Sequence, residues 1–290
     1  MVIGAGYIGL ELGTVWARLG AKVEVIEFLP RILPGMDDEI AEKFMAIAKK
    51  QGLSFRLSAA VKQAKSSKAG VTLTVESADG GKPESISADI VLVSVGRHPA
   101  TDGLGLEAAG VALTERGRIA VDTRFETSLD DVYAIGDVID GPMLAHKAEE
   151  DAVAAVEMMA GHAGHVDYDL VPGIVYTAPE VANIGFAEQD LKEAGVAYKV
   201  GKFPFMANSR ARTNHTTDGF VKILADAQTD EVLGAHMIGV GVGEMIGEVC
   251  VAMEFKAASE DIARTCHAHP TQSEAIRQAA MGVEGWTMQM

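Results

Sequence analysis

Near the C-terminus the chain reads CHAHPTQSE, in which His269 directly precedes Pro270 and Glu274 follows five residues after the histidine. An imidazole oriented by a carboxylate is the usual arrangement of a general base. Proline disfavours a helical conformation for the residue before it, so a helix is expected to start at Pro270 and Thr271. In that helix Thr271 and Glu274 also have the spacing of a capping box, in which the glutamate serves backbone amides. The residues alone leave both interpretations open, a catalytic pair and a helix cap.

A second group of residues has the spacing of a dinucleotide-binding turn. Gly4, Gly6 and Gly9 lie between the apolar end of a predicted strand and a predicted helix, and the next strand, KVEVIE, ends in Glu27. Gly4 is expected to make the tight turn, Gly6 to admit a pyrophosphate, and Gly9 to let the helix pack on the sheet. Glu27 suits the two adenine-ribose hydroxyls and repels a 2′-phosphate, which favours NAD over NADP. The alternative is a glycine turn that binds nothing.

Two further turns follow predicted strands. The segment TSLDDVYAIGD contains an apolar run, VYAI, that is expected as a strand and leads to Gly136 and Asp137. A carboxylate in that place suits a polyol such as the ribityl chain of a flavin, and an ordinary turn residue is an equally good interpretation. In GRHP, after the strand DIVLVSV, Gly96 permits close backbone approach, although an ordinary exit from a strand is the simpler interpretation.

The two cysteines, Cys250 and Cys266, do not form a C-x-x-C motif or a disulfide framework. Their neighbours are apolar or helical, so buried free thiols in a reducing cytosol are expected. We expect no metal site.

Composition narrows the class of partner. Hydrophobic residues make up 48% of the chain and charged residues 23%, which is ordinary for a globular protein with a full core. The formal net charge of -16 repels nucleic acid and anionic membranes, so a small molecule or a protein is the expected partner. The most apolar stretch near the end, VGVGEMIGEVCVAMEF, is interrupted by three glutamates and is too polar to span a membrane.

The order of the predicted elements gives a fold class. Strands and helices alternate up to Gly96, which predicts a doubly wound α/β domain with a largely parallel sheet over residues 1–96. Residues 97–166 are expected to form a mixed middle region. In residues 167–290 strands come first and helices after, including helices around Val242 to Ala258 and Thr271 to Ala280, which predicts an α+β domain. Because only three residues precede Gly4, the chain is expected to begin within an element.

Several segments together resemble the dihydrolipoamide dehydrogenase family, the flavin-dependent disulfide oxidoreductases within class I of the pyridine nucleotide-disulphide oxidoreductases. The segments occur in the family's order along the whole chain: GAGYIGLELG, EFLPRILPGMD, SVGRHPAT, YAIGDVIDGPMLAHKAEE, KFPFMANSRA and CHAHPTQSEA. The resemblance implies a Rossmann-like NAD-binding domain, a partial FAD-binding central region and a dimerisation domain. Members of the family also carry an earlier G-x-G-x-x-G and a redox pair C-x-x-x-x-C, and neither is present in this sequence.

The resemblance assigns roles to particular positions. It implies an NAD site that contains Gly4, Gly6, Tyr7, Ile8, Gly9, Glu11, Glu27, Val61 and Gly96. It implies an incomplete FAD site that contains Asp137, Met143, Leu144, Ala145 and His146. It implies that His269 is the base and Glu274 its orienting carboxylate, with the histidine acting on a thiol that this sequence does not contain.

The resemblance also implies partners and a reaction. Members are obligate homodimers in which the base of one subunit works on the other subunit's site. They reoxidise dihydrolipoamide on the lipoyl domains of 2-oxo acid dehydrogenase complexes, in the cytoplasm or, in eukaryotes, the mitochondrial matrix. We expect no lipoamide turnover from this chain alone. One alternative is a non-catalytic NAD-binding dimer module. The other is a mercuric or glutathione reductase of the same family, which Glu27 and the HAHPTQSE segment disfavour.

Overall fold

The computed structural model describes residues 1–289 and contains two compact units. One unit combines Met1–Gly96 with the described residues from Pro172 onward, and the other is Arg97–Val171. The mixture of parallel and antiparallel sheets with helices confirms the predicted α/β and α+β fold class. The predicted division at 1–96, 97–166 and 167–290 stays a prediction.

Regular elements are distributed along the whole described chain. The strands are β1 (Val2–Ile3), β2 (Glu24–Ile26), β3 (Ser54–Arg56), β4 (Ala59–Ser67), β5 (Gly70–Ser77), β6 (Glu84–Ala88), β7 (Leu92–Val93), β8 (Gly173–Val175), β9 (Glu180–Gly185), β10 (Tyr198–Pro204), β11 (Phe220–Asp226) and β12 (Val232–Gly239). The helices are α1 (Tyr7–Arg18), α2 (Asp38–Lys50), α3 (Leu106–Ala109), α4 (Ala145–Met159), α5 (Glu188–Ala194), α6 (Ser209–Thr213), α7 (Val242–Glu254), α8 (Ser259–Arg264) and α9 (Glu274–Val283). Short 3-10 helices lie at Gly136–Val138, Tyr168–Leu170 and Phe205–Ala207.

The first sheet of the larger unit is parallel, with strand order β3-β2-β1-β7. Helix α1 connects β1 to β2 and buries the side that carries Gly9, Leu10 and Gly13, so the helix packs closely on the sheet. The predicted strand DIVLVSV is much shorter than expected, because only Leu92 and Val93 pair with β1. A separate antiparallel sheet, β4-β5-β6, lies between β3 and β7 in the sequence.

The second half of the larger unit is an antiparallel sheet with order β10-β11-β12-β9-β8, packed with α7, α8 and α9. Strands precede helices, as predicted. The single helix predicted around Val242 to Ala258 is wrong at its end: α7 stops at Glu254, and a separate helix, α8, begins at Ser259. The chain is redirected there because Lys256 has a left-handed backbone, with φ 54°. The carboxylate of Asp261 then accepts the amide of Ala258 and starts α8.

The smaller unit has its own apolar core around α4 and the segments before it. The buried residues of that core are Val111, Ile119, Phe125, Ala134, Ile139, Ala154 and Ala155. The predicted strand VYAI does not form. Tyr133 makes one isolated bridge to Glu126, and the run stays extended up to the 3-10 helix at Gly136. Because no strand ladder forms beside Asp137, side-chain contacts contribute to holding its turn.

A buried ion-pair network connects the two sequence-distant parts of the larger unit. The Nζ atom of Lys222, in β11, lies 2.9 Å from Asp37 and 2.6 Å from Glu188. The side chains of Lys222 and Asp37 are each only 1% exposed. Asp37 also accepts the amides of Glu39 and Ile40 at the start of α2, so one carboxylate caps a helix and neutralises a buried lysine.

The substitution Asp37→Ala is expected to lower the free energy of unfolding by about 3–5 kcal/mol, because it leaves the ammonium group of Lys222 buried with one partner fewer. Urea denaturation measures the change. The matched control is Glu42→Ala, on the exposed side of the same helix, which is expected to change stability by about 0.5 kcal/mol or less. Equal effects of the two substitutions would contradict this account of the network.

Stability at low pH is expected to depend on Glu188. Burial alone raises the pKa of this carboxyl group, but hydrogen bonds from Lys192, Lys222 and Tyr198 outweigh burial and lower the pKa to about 2. A lowered pKa stabilises the folded state fully above the ordinary value of 4.5, and that contribution is lost as pH falls from 4.5 towards 2. The melting-temperature difference between wild type and Glu188→Gln should therefore shrink between pH 5.5 and pH 3. Glu193→Gln, on the exposed side of α5, should show no such trend.

Candidate functional site

The glycine turn after β1 has the geometry that a bound dinucleotide requires. Gly4 has φ 101°, and a Cβ atom on it would lie 2.3 Å from the carbonyl oxygen of Ser94. A Cβ atom on Gly9 would lie 2.1 Å from the carbonyl oxygen of Gly4, so both positions require glycine for packing. A Cβ atom on Gly6 would meet nothing within 4 Å. Of these three glycines, Gly6 alone borders open space. A pyrophosphate would approach the backbone at this position.

The N-terminus of α1 faces the same turn. Gly6 is the N-cap residue of this helix, and no side chain caps it. The first amides of a helix and its dipole together attract a phosphate. The 12-residue helix α1 therefore fits a dinucleotide phosphate at Gly6.

Glu27, the predicted ribose ligand, lies directly after β2 and beside the glycine turn. Its Oε2 atom accepts the amide of Ala5 at 2.7 Å, and its Oε1 atom accepts the amide of Leu29 at 2.9 Å. Each carboxylate oxygen can accept a second hydrogen bond. The carboxylate therefore holds the turn in place and retains the capacity to accept ribose hydroxyls.

The other predicted NAD residues lie on several elements of the same unit. Tyr7, Ile8 and Glu11 are in α1, and the side chain of Glu11 accepts the amide of Tyr176 at 2.8 Å. Burial raises the pKa of the Tyr7 hydroxyl. Val61, in β4, packs against the cluster that contains Ile3 and Ile26, the last residues of β1 and β2. Gly96 follows β7, the strand that pairs with β1.

In the smaller unit, Asp137 lies in the 3-10 helix Gly136–Val138. Its Oδ2 atom is 2.9 Å from Arg97 Nη2, and its side chain is 35% exposed. The guanidinium group engages one oxygen, and within residues 1–289 no hydrogen bond to the other oxygen is present, which fits a hydroxyl of a bound polyol. Met143 and Leu144 are half-buried just before α4, and Ala145 and His146 are exposed in its first turn.

A buried network that the sequence reading missed fixes the turn before Asp137. Lys147 and Asp151, one turn apart in α4, form a 2.7 Å ion pair with both side chains fully buried. Asp151 accepts the amide of Gly136 at 2.9 Å and the hydroxyl of Tyr168 at 2.8 Å. Burial and the contact with Asp151 raise the pKa of Tyr168. The i,i+4 spacing of lysine and aspartate was visible in the sequence, but such pairs usually lie on the surface.

The predicted pair near the C-terminus is formed. His269 Nδ1 lies 2.9 Å from Glu274 Oε1 and 3.1 Å from Oε2, and Oε2 also accepts the amide of Thr271 at 2.9 Å. The histidine side chain is 61% exposed and the glutamate side chain 10% exposed. Burial raises the pKa of Glu274, but the Thr271 amide and His269 outweigh burial and lower the pKa overall. Glu274 therefore orients the imidazole and serves a backbone amide at once.

Two expectations about this region are wrong. Helix α9 begins at Glu274, three residues later than the predicted start at Thr271. Thr271 stays outside the helix because Glu274 binds its amide and Asn208 donates to its carbonyl oxygen. The thiols are not both buried: Cys266 is exposed and Cys250 half-buried. Burial raises the pKa of Cys250 to about 11, so its thiol stays protonated at neutral pH.

Two family models match this chain. Residues 1–152 match the model of the pyridine nucleotide-disulphide oxidoreductases, and residues 171–280 match the dimerisation domain of the same proteins. The chain belongs to class I of the pyridine nucleotide-disulphide oxidoreductase family. NAD and FAD are the cofactors typical of this family of oxidoreductases. Within residues 1–289, no helix has the length and apolar character needed to cross a bilayer.

Several individual proteins are similar to this chain along nearly its whole length. Dihydrolipoyl dehydrogenase 3 of Pseudomonas putida is 58% identical over 100% of this chain and 62% of its own length. A mitochondrial dihydrolipoyl dehydrogenase of Pisum sativum is 57% identical over 97% of this chain and 56% of its own length. The HOCl-induced flavoprotein disulfide reductase RclA of Escherichia coli has a TM-score of 0.87 at 30% identity, over 96% of this chain and 63% of that one. The chain therefore spans less than two thirds of the length of these relatives.

The substitution Gly6→Ala is expected to weaken NADH binding by about tenfold or more, equivalent to about 1.4 kcal/mol, because its methyl group occupies the open space beside the turn. Fluorescence titration of NADH measures the dissociation constant. Gly13→Ala in the same helix is the matched control, since its Cβ atom would meet Val2 and Val23 at ordinary distances of 3.5 and 3.7 Å. Unchanged affinity in Gly6→Ala would place the dinucleotide elsewhere.

Proposed function

We propose that this chain forms the NAD-binding part, a portion of the flavin-binding region and the dimer-forming part of an enzyme that reoxidises protein-bound dihydrolipoamide with NAD+. The observation that carries the proposal is the exposed His269 held by Glu274 at 2.9 Å. This pair stands in a chain that is 58% identical along its whole length to a protein named dihydrolipoyl dehydrogenase.

The chemistry of His269 follows from its contact with Glu274. A carboxylate at Nδ1 favours the tautomer in which Nδ1 carries the proton and Nε2 is free to accept one. His269 Nε2 then takes the proton of a dihydrolipoamide thiol, and Glu274 stabilises the imidazolium that forms. The thiolate reacts with a disulfide outside this chain, since Cys250 and Cys266 lack the spacing of the family's redox pair.

Two cofactors follow from this function. Gly4, Gly6, Gly9 and the first amides of α1 would hold the NAD pyrophosphate, and Glu27 the adenine ribose. Asp137 and the residues at the start of α4 would contribute one part of an FAD site, which residues outside this chain complete. When bound, the flavin and the nicotinamide supply the electron transfer, and the side chains of this chain orient them and handle protons.

The same proposal covers partners and location. The match of residues 171–280 to a dimerisation domain supports a homodimer. Lipoyl domains of 2-oxo acid dehydrogenase complexes are the proposed source of the dihydrolipoamide. Relatives from bacteria and from plant mitochondria support a cytoplasmic location, or the mitochondrial matrix in a eukaryote.

The purified chain alone is expected to bind NADH and to show no reduction of NAD+ by dihydrolipoamide, because the redox disulfide is outside it. Absorbance at the NADH band measures turnover, and the full-length Pseudomonas putida relative serves as the positive control. Turnover that persists through purification and disappears in His269→Gln would show that the chain does not need a disulfide from outside, and would contradict the proposal. A dimer that binds NADH but shows no turnover and no bound flavin under any condition would favour the non-catalytic NAD-binding module.

A further inference from the structure

The segment that carries His269 lacks regular secondary structure. It runs from Thr265, after the end of α8, to Ser273, before α9. Side-chain contacts hold it instead. On the C-terminal side Glu274 binds His269 and Thr271, and Asn208 binds the carbonyl oxygen of Thr271.

On the N-terminal side the segment is held by a second histidine–carboxylate pair. His267 Nε2 lies 2.6 Å from Oε1 of Glu248, in α7, and His267 Nδ1 lies 2.9 Å from the carbonyl oxygen of Thr265. The His267 side chain is only 6% exposed, in contrast to that of His269. His267 and His269 are thus two residues apart in sequence, but the side chain of His267 is buried and that of His269 is exposed.

The partners of His267 determine how many protons it carries. A carbonyl oxygen can only accept, so Nδ1 must donate to Thr265. Nε2 faces a carboxylate oxygen, which also accepts when ionised. The pair therefore shares two protons, one in the contact between Nδ1 and Thr265 and one in the contact between Nε2 and Glu248.

His267 also acts on the His269–Glu274 pair. Together with the Thr271 amide and His269, the charge of His267 helps to lower the pKa of Glu274 against the effect of burial. The other charged groups near this segment have partners of their own. On α8, Arg264 pairs with Glu260, and on α9 Arg277 donates to the carbonyl oxygen of Ala263. Glu248 is the carboxylate that faces His267 from α7. An ionised Glu274 keeps the proton of His269 on Nδ1.

We propose that His267 is a positioning residue for the base: paired with Glu248, it anchors the segment before Pro270 and keeps His269 in the tautomer with Nδ1–H toward Glu274. The role as positioning residue rests on the proposed function, in which His269 accepts a thiol proton. The pairing of His267 with Glu248 and its effect on the His269 tautomer can be measured without turnover. A negative result there is therefore distinguishable from a failure of the proposed function.

Nitrogen-15 NMR of the histidine side chains in the purified chain tests the proposal at pH 7.5, about one unit above the ordinary histidine pKa of about 6.5. In the wild type, both ring nitrogens of His267 should be protonated. In Glu248→Gln, His267 should become neutral, because an amide can donate to Nε2. The Nε2–H tautomer of His269 should rise at least threefold in Glu248→Gln and in His267→Asn.

The matched control is Glu244→Gln, which removes the same charge one turn earlier on α7. It should leave both histidines as in the wild type. Melting temperatures identify any variant that fails to fold. If His267→Asn fails to fold, Glu248→Gln still tests the proposal, because it is an isosteric change at an exposed position. A neutral His267 in the wild type, or an unchanged His269 tautomer in Glu248→Gln, would overturn the proposal.

Discussion

The larger unit depends on the burial of one lysine, Lys222. An unpaired ammonium group in a core is too costly to retain, so the fold must bring carboxylates to it. Asp37 comes from the first 96 residues and Glu188 from the region after 172, and the amide of Glu188 also donates to Asp37. The starts of α2 and α5 are therefore fixed on β11. This arrangement sets the position of the parallel sheet, and with it the glycine turn, relative to the antiparallel sheet.

The same principle recurs at the functional segments. Each of them is irregular, and each is held by polar contacts that are buried on at least one side. Lys147 and Asp151 fix the turn before Asp137, and Glu27 fixes the glycine turn through the amide of Ala5. Glu274 holds His269 from one side. Such contacts are directional, so they place a functional group more narrowly than apolar packing alone.

The features that the sequence predicts well are those encoded by local pattern. The glycine spacing, the strand that leads to Glu27 and the order of strands and helices all follow from short-range rules, and the structure contains them. The turn at Gly6 is open because glycine there has no side chain, a property that is local as well. The close pair of His269 and Glu274 could be proposed because both residues flank one turn.

Other features depend on contacts between distant residues. The burial of Lys222 and of Lys147 cannot be read from neighbouring residues, since charged side chains are usually exposed. The run VYAI has strand composition but finds only one bridge partner, so it does not become a strand. The exposure of Cys266 follows from the irregular segment in which it lies, whereas its sequence neighbourhood predicted a buried thiol.

In the proposed function, His269 is the base for a dihydrolipoamide thiol, which reacts with a disulfide outside this chain. The most direct measurement is to co-express this chain with the portion of the Pseudomonas putida relative that it does not match, and to assay NAD+ reduction by dihydrolipoamide. The account predicts turnover in the flavin-containing complex and a loss of about a hundredfold or more in His269→Gln. A flavin-containing complex in which His269→Gln is as active as the wild type would contradict it.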